Sequence, residues 1–213
     1  MSGYSNALKG VAAAAAMLLI SQAQAAGAVS ANNRLSSPFV SSVTTAIAGQ
    51  QVDQIIKVTG ITSVAVAGTA GNTVLSFNVG AGSSVVGIGW DVNLTATSPS
   101  WLSEMAVGFR NTDNAGGASL TVGLGDDMPG TAAYSSGGIL DLIGLGLSFT
   151  TDANGLVCVE FYESFNDPEV NPDGIWNAGA LTLRVVPVPE PATYGMMALG
   201  LLAMGAFVRR RNA

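Results

Sequence analysis

Between residues 75 and 185, apolar side chains return again and again at every second position. Successive side chains on a strand point to opposite faces, so this period marks strands with one buried face. Leu75, Phe77 and Val79 alternate with Ser76 and Asn78, and Ile88, Trp90, Val92 and Leu94 alternate with Gly89, Asp91 and Asn93. Met105, Val107 and Phe109 alternate with Ala106, Gly108 and Arg110. Leu120, Val122 and Leu124 follow, then Val157, Val159 and Phe161, then Leu181, Leu183 and Val185. Less regular candidates lie at 52–58, 63–67 and 138–149. Clusters of Gly, Asn, Asp and Pro at 68–72, 80–84, 111–117, 125–130, 152–155 and 166–179 read as the turns between them. No segment of this region carries a sustained 3.6-residue period with caps. The pattern predicts a mainly β fold of about nine strands: a single β-sandwich, jelly-roll-like, with its alternating faces buried between two sheets.

The sandwich is expected over residues 26–187, because the two ends of the 213-residue chain read as addresses. Lys9 precedes the apolar run Val11 to Ile20, which Ala23, Gln24 and Ala25 follow. A basic start, a short apolar stretch and a small-x-small site describe a secretory signal over 1–25, cut before Ala26 by a signal peptidase. At the other end Val188, Pro189, Glu190 and Pro191 precede an uncharged stretch, 192–208, and then Arg209, Arg210 and Arg211. Seventeen residues is the lower limit for a membrane-spanning helix. Basic residues stay on the cytoplasmic side, so the proline-rich motif is expected outside. Proline cannot continue a helix, and it keeps the residue before it extended. An extended, exposed peptide at the membrane face is what a processing enzyme can grip.

Those three parts in order, over 188–213, resemble the PEP-CTERM sorting signal of Gram-negative bacteria. The resemblance implies that an exosortase recognises and cuts the tail at the inner membrane, where the chain is held transiently. It implies delivery to the cell surface or the exterior, often alongside exopolysaccharide. Glu190 would then be a recognition residue, with the catalytic groups supplied by the exosortase. The segments Ser98 to Leu102, Glu163 to Asp167 and Gly174 to Trp176 are also similar to the cargo of other proteins with this tail, a likeness that carries no known activity.

Charge and composition narrow what the cargo can do. From Ala26 to Pro189 there are four basic and thirteen acidic residues, a net charge of −9. Nucleic acid is therefore excluded as a partner, since the Lys and Arg contacts that release counterions are missing. The chain has no His, which removes Ser-His-Asp and Cys-His nucleophile pairs and His-ligated metals. Its one cysteine, Cys158, allows neither an internal disulfide nor a thiolate zinc cluster, and it reads first as a small buried hydrophobe.

Three groupings remain as candidate sites. Asp167, Glu169, Asn171 and Asp173 place oxygens at alternate positions before Gly174, in the manner of the start of a calcium loop. The twelfth position counted from Glu169 is Ala180, so the bidentate carboxylate is missing and a solvated acidic loop is the leading reading. No cofactor is expected beyond this calcium candidate. Trp101 and Trp176, in loop-like context, are the candidates for stacking on a sugar ring, with packing as the plainer alternative; Trp90 reads as core. Asp126, Asp127 and Asp141 read as turn chemistry; a glycosidase pair with Glu160 or Glu163 would need carboxyls about 5–10 Å apart.

The leading expectation is a non-enzymatic envelope or matrix protein of structural or interaction type, associated with exopolysaccharide. A lectin-like module and a carboxylate-dependent glycan hydrolase are the alternatives.

Overall fold

The computed structural model describes residues 40–41, 50–114, 116–188, 195, 197–202 and 204. Its strands are β1 (Val40–Ser41), β2 (Val52–Lys57), β3 (Ile61–Ser63), β4 (Thr73–Asn78), β5 (Ser84–Ala96) and β6 (Met105–Asn111). They continue as β7 (Gly117–Thr121), β8 (Gly130–Ser135), β9 (Leu140–Asp141), β10 (Phe149–Thr150), β11 (Leu156–Glu163) and β12 (Gly174–Val186). Among the described residues one 3₁₀ turn, Leu102–Glu104, leads into β6.

All six alternating runs contribute to strands, and the strands form two antiparallel sheets that do not close into a barrel. The larger sheet has the order β1-β2-β12-β5-β10, with β3 also pairing β12, and β8 and β9 also pairing β5. The smaller has the order β4-β11-β6-β7. Residues from both inner faces make one core. Ile56, Ile88, Trp90, Leu94, Leu181 and Leu183 come from the larger sheet; Leu75, Phe77, Val107, Phe109, Val159 and Phe161 come from the smaller. Each such side chain contributes roughly 1.5–3 kcal/mol on leaving water. Phe161 of β11 meets Trp176 of β12 edge to face, with ring centroids 5.0 Å apart, so the sheets touch through aromatics. A gap lined by Val85, Ile88, Phe109, Leu142, Phe149 and Leu183 is apolar and too tight to admit water.

The two central strands are longer than their alternation announces. β12 was expected to begin near Leu181, with 166–179 as a turn; it begins at Gly174. A bulge shifts the register between Trp176 and Ala178, which breaks the period of two. Gly179, at φ +100°, lies so close to the backbone of Asp91 that no Cβ would fit there. The fourth run stops earlier than expected: β7 ends at Thr121, and Leu124 is exposed. Gly123 begins a turn there, packed where a Cβ would come 2.6 Å from the Leu102 carbonyl. β8 was not foreseen because Thr131, Ala132, Ala133 and Tyr134 show no apolar alternation.

Candidate functional site

β12 has two ends with different chemistry. At its C-terminal end Val185 pairs with Val52 and Val186 with Ser84, so β2 and β5 flank the exit of the chain. Arg184 reaches Asp53 across the β12–β2 pair with a forked ion pair, Nε to Oδ1 at 2.7 Å and Nη2 to Oδ2 at 2.8 Å. That contact holds the Asp53 carboxyl below its ordinary range. Two residues beyond the strand Val188 is already half exposed. Pro189, Glu190, Pro191, Arg209, Arg210 and Arg211 lie outside the described residues, as do Ala23, Ala25 and Ala26. Residues 195, 197–202 and 204 are helical, and Met197, Leu199, Leu201, Leu202 and Met204 are exposed on them. Among the described residues no helix is long and apolar enough to cross a membrane.

At its N-terminal end β12 meets a buried acidic cluster. Glu163 ends β11 and points inward, following Val157, Val159 and Phe161 in parity. Ser63, on β3 of the other sheet, donates its hydroxyl to Glu163 Oε1. The Asp173 amide donates to the Ser63 carbonyl at 3.1 Å, and the Asp173 carbonyl accepts from Thr97 at 2.8 Å. Ser63, Glu163 and Asp173 are fully buried. Gly174 belongs here because a Cβ would collide with Glu163 Oε1 and Ser63 Oγ. Among the described residues three side-chain polar atoms remain buried without a partner: Glu163 Oε2, Asp173 Oδ1 and Trp176 Nε1. Burial pushes the Glu163 carboxyl up to about 8, helped by the charges of Asp173, Glu104 and Asp167 and opposed by the Ser63 hydrogen bond. Burial raises Asp173 as well.

Around this cluster stands an exposed rim. Trp101 is 44% exposed, and Met128, Phe165 and Leu124 are exposed too. The rim is pinned by backbone contacts: Leu102 N to Met128 O at 3.1 Å, Ser103 N to Asp126 O at 3.1 Å, and Ser164 N to Glu104 O at 2.8 Å. Glu104 also caps the 3₁₀ turn, its Oε2 accepting from Trp101 N at 2.9 Å and from Ser100 Oγ at 3.2 Å.

The structure corrects two of the expected sites. Trp176 is fully buried against Phe161 and is core, so it cannot stack on a ligand. Asp167, Glu169, Asn171 and Asp173 do not converge: Asp173 turns inward, Glu169 and Asn171 face solvent, and the Asp167 amide donates to Asp173 Oδ2 at 3.3 Å. Among the described residues no three His, Cys, Asp or Glu side chains are grouped to hold a metal ion. The alternate spacing of the oxygens is spent on a turn around a buried residue.

The turn reading of Asp126 and Asp127 expected bonds to nearby backbone amides, but both carboxylates accept from side-chain hydroxyls instead. Asp126 accepts from Tyr134 Oη at 2.7 Å, Asp127 from Ser103 Oγ at 2.7 Å and Asp141 from the Ile143 amide at 2.9 Å. Glu160 and Glu163 have opposite parity on β11, so they face opposite sides of the sheet. Glu160 pairs with Arg110 Nη1 at 2.9 Å beneath the turn at Gly68 to Asn72. Cys158 is buried, with Ser76 Oγ 3.4 Å from its sulfur. Sequence reasoning missed the Ser63–Glu163–Asp173 cluster. Its one signal was an acidic residue at an inward position, Glu163, continuing the apolar run of Val157, Val159 and Phe161.

With this geometry in place, comparison with known families identifies one motif at the tail end. The family model of the PEP-CTERM protein-sorting motif matches residues 187–211. The matched segment begins one residue past β12, and it marks an exported chain that an exosortase processes at the membrane. No curated protein matches the chain significantly.

Proposed function

We propose that this protein is a sorted, non-enzymatic component of the cell envelope or extracellular matrix: a jelly-roll cargo delivered through its tail, with exopolysaccharide as its associate. The observation that carries the reading is the junction between β12 and the sorting motif, which follows the central strand of the larger sheet without a linker domain. The strand order supports the jelly roll, because β2-β12-β5-β8 and β4-β11-β6-β7 have the connectivity of two facing four-stranded sheets. In this reading a signal peptide over 1–25 starts export, and 192–208 spans the inner membrane until cleavage.

β12 sets the geometry of display. Thirteen residues at about 3.3 Å each carry the rim of Trp101, Met128 and Phe165 roughly 40 Å from the tail junction. The anchored end thus faces the membrane and the aromatic rim faces outward, where an interaction protein needs its contact surface. A lectin-like module retains a single exposed platform, Trp101, because Trp176 is core. A glycan hydrolase would draw its pair from Asp126, Asp127 or Asp141 with Glu160 or Glu163, and it is the weaker reading because Tyr134, Ser103, the Ile143 amide and Arg110 already engage four of these five carboxyls.

The sorting motif is tested by replacing Pro189, Glu190 and Pro191 together with alanine. The variant should accumulate in the inner membrane with residues 192–213 attached, while the unaltered chain reaches the surface fraction. Equal surface delivery of both chains would defeat the proposal.

A further inference from the structure

We propose that Glu163, with Ser63 and Asp173, forms a proton-dependent clasp that closes the rim end of the sandwich and loosens when Glu163 ionises. The clasp bridges the two sheets. Glu163 ends β11 of the smaller sheet and accepts from Ser63 on β3 of the larger, while the Ser63 carbonyl accepts from Asp173 at the head of β12. Both carboxyl side chains are fully buried, and each keeps an oxygen, Glu163 Oε2 and Asp173 Oδ1, without a donor. A carboxylate in that position would be buried, half-satisfied and next to other acids, which costs far more than the neutral form.

Among the described residues, the groups facing Glu163 leave it no counterion. From the β11–β12 loop comes Asp167, from the head of β12 comes Asp173, and from the 3₁₀ turn comes Glu104; each raises its affinity for a proton. β6 supplies Met105, paired in register with Glu163, and β3 supplies the Ser63 hydroxyl. Arg110 is committed to Glu160 and Arg184 to Asp53. A proton is the neutralising species that this cluster provides for.

Two loop segments of the rim adjoin the clasp. The Ser164 amide donates to the Glu104 carbonyl at 2.8 Å, next to the exposed Phe165, and Glu104 holds the turn that carries Trp101. Ionisation of Glu163 therefore loosens the part of the molecule that displays Trp101 and Phe165.

The sign follows from linkage. The folded carboxyl titrates at about 8, above its ordinary value of 4.5. The clasp's contribution is fully present below about pH 4.5 and is lost as pH rises through about 8. The test compares the purified full chain with its Glu163→Gln variant in urea unfolding from about pH 5 to pH 9. The unaltered chain should lose midpoint steadily over this range, and the variant, neutral at position 163 throughout, should lose clearly less, keeping only the share that Asp173 contributes. Carbon-13 titration of the Glu163 carboxyl in the unaltered chain gives a second reading, independent of the variant's folding, with an expected midpoint near 8. Parallel profiles for the two chains, or a midpoint in the ordinary carboxylate range, would overturn the clasp. So would a profile that millimolar calcium flattens in the unaltered chain alone, since the neutralising species would then be a bound cation.

Discussion

Glu160 and Glu163 stand three residues apart on the same strand, are equally buried, and are handled in opposite ways. Glu160 is fully partnered on the outer face of its sheet: Arg110 at 2.9 Å, the Gly68 amide at 2.5 Å and Asn72 Nδ2 at 3.3 Å all donate to it. Glu163 faces the core with a single hydroxyl donor and acids for neighbours. Burial alone therefore says little about a carboxyl group. What decides its charge state is the set of donors that the opposing elements bring to it. On one face β6 supplies a guanidinium across the β11–β6 ladder; on the other β3 supplies only a serine.

The contrast is sharpest where a partner can be removed. Arg110→Ala should destabilise the fold by about 3 kcal/mol, because it strands Glu160 as a buried charge, and chemical unfolding would register this directly. A loss below about 1 kcal/mol would mean that the backbone and amide donors alone hold Glu160. Gly174→Ala comes next. The added methyl drives into Glu163 Oε1 and Ser63 Oγ, for which about 2 kcal/mol of overpacking is expected. An unchanged midpoint in this variant would show that the cluster has room to relax and is no fixed clasp.

The smallest effect lies at the tail end of β12, and its sign is opposite to that of Glu163. Asp53 is held below its ordinary range first by the hydrogen bond from Arg184. Its stabilisation is present above about pH 4 and fades as pH falls through the folded value, whereas the contribution of Glu163 fades as pH rises. The pair is solvent-accessible, so its worth is below about 1 kcal/mol. Asp53→Asn should flatten only the acid limb of the stability profile, read as unfolding midpoints on either side of pH 4.

Much of the sandwich was legible in the alternation, because period two is a direct consequence of strand geometry and both inner faces are strongly apolar. Ile88, Trp90, Val92 and Leu94 read correctly as one buried face for that reason. What escaped were features made by contact between distant segments. The first half of β12 hid behind the bulge at Trp176, which moved a tryptophan from a supposed loop into the core. β8 hid because its small, half-exposed side chains carry no period. The acidic loop looked like a ligand array in one dimension, yet its Asp173 turns inward beside a serine more than one hundred residues earlier in the chain. The sorting tail was the easiest part to read, since its three elements follow one another directly.

That tail carries the central claim, that the sandwich is cargo handed over at the end of β12. Intact mass measurement of the protein recovered from the surface of cells expressing an exosortase tests it most directly. The account predicts a chain that begins at Ala26 and lacks residues 192–213. A surface protein that retains Arg209, Arg210 and Arg211 would show the tail to be a permanent anchor and would contradict it.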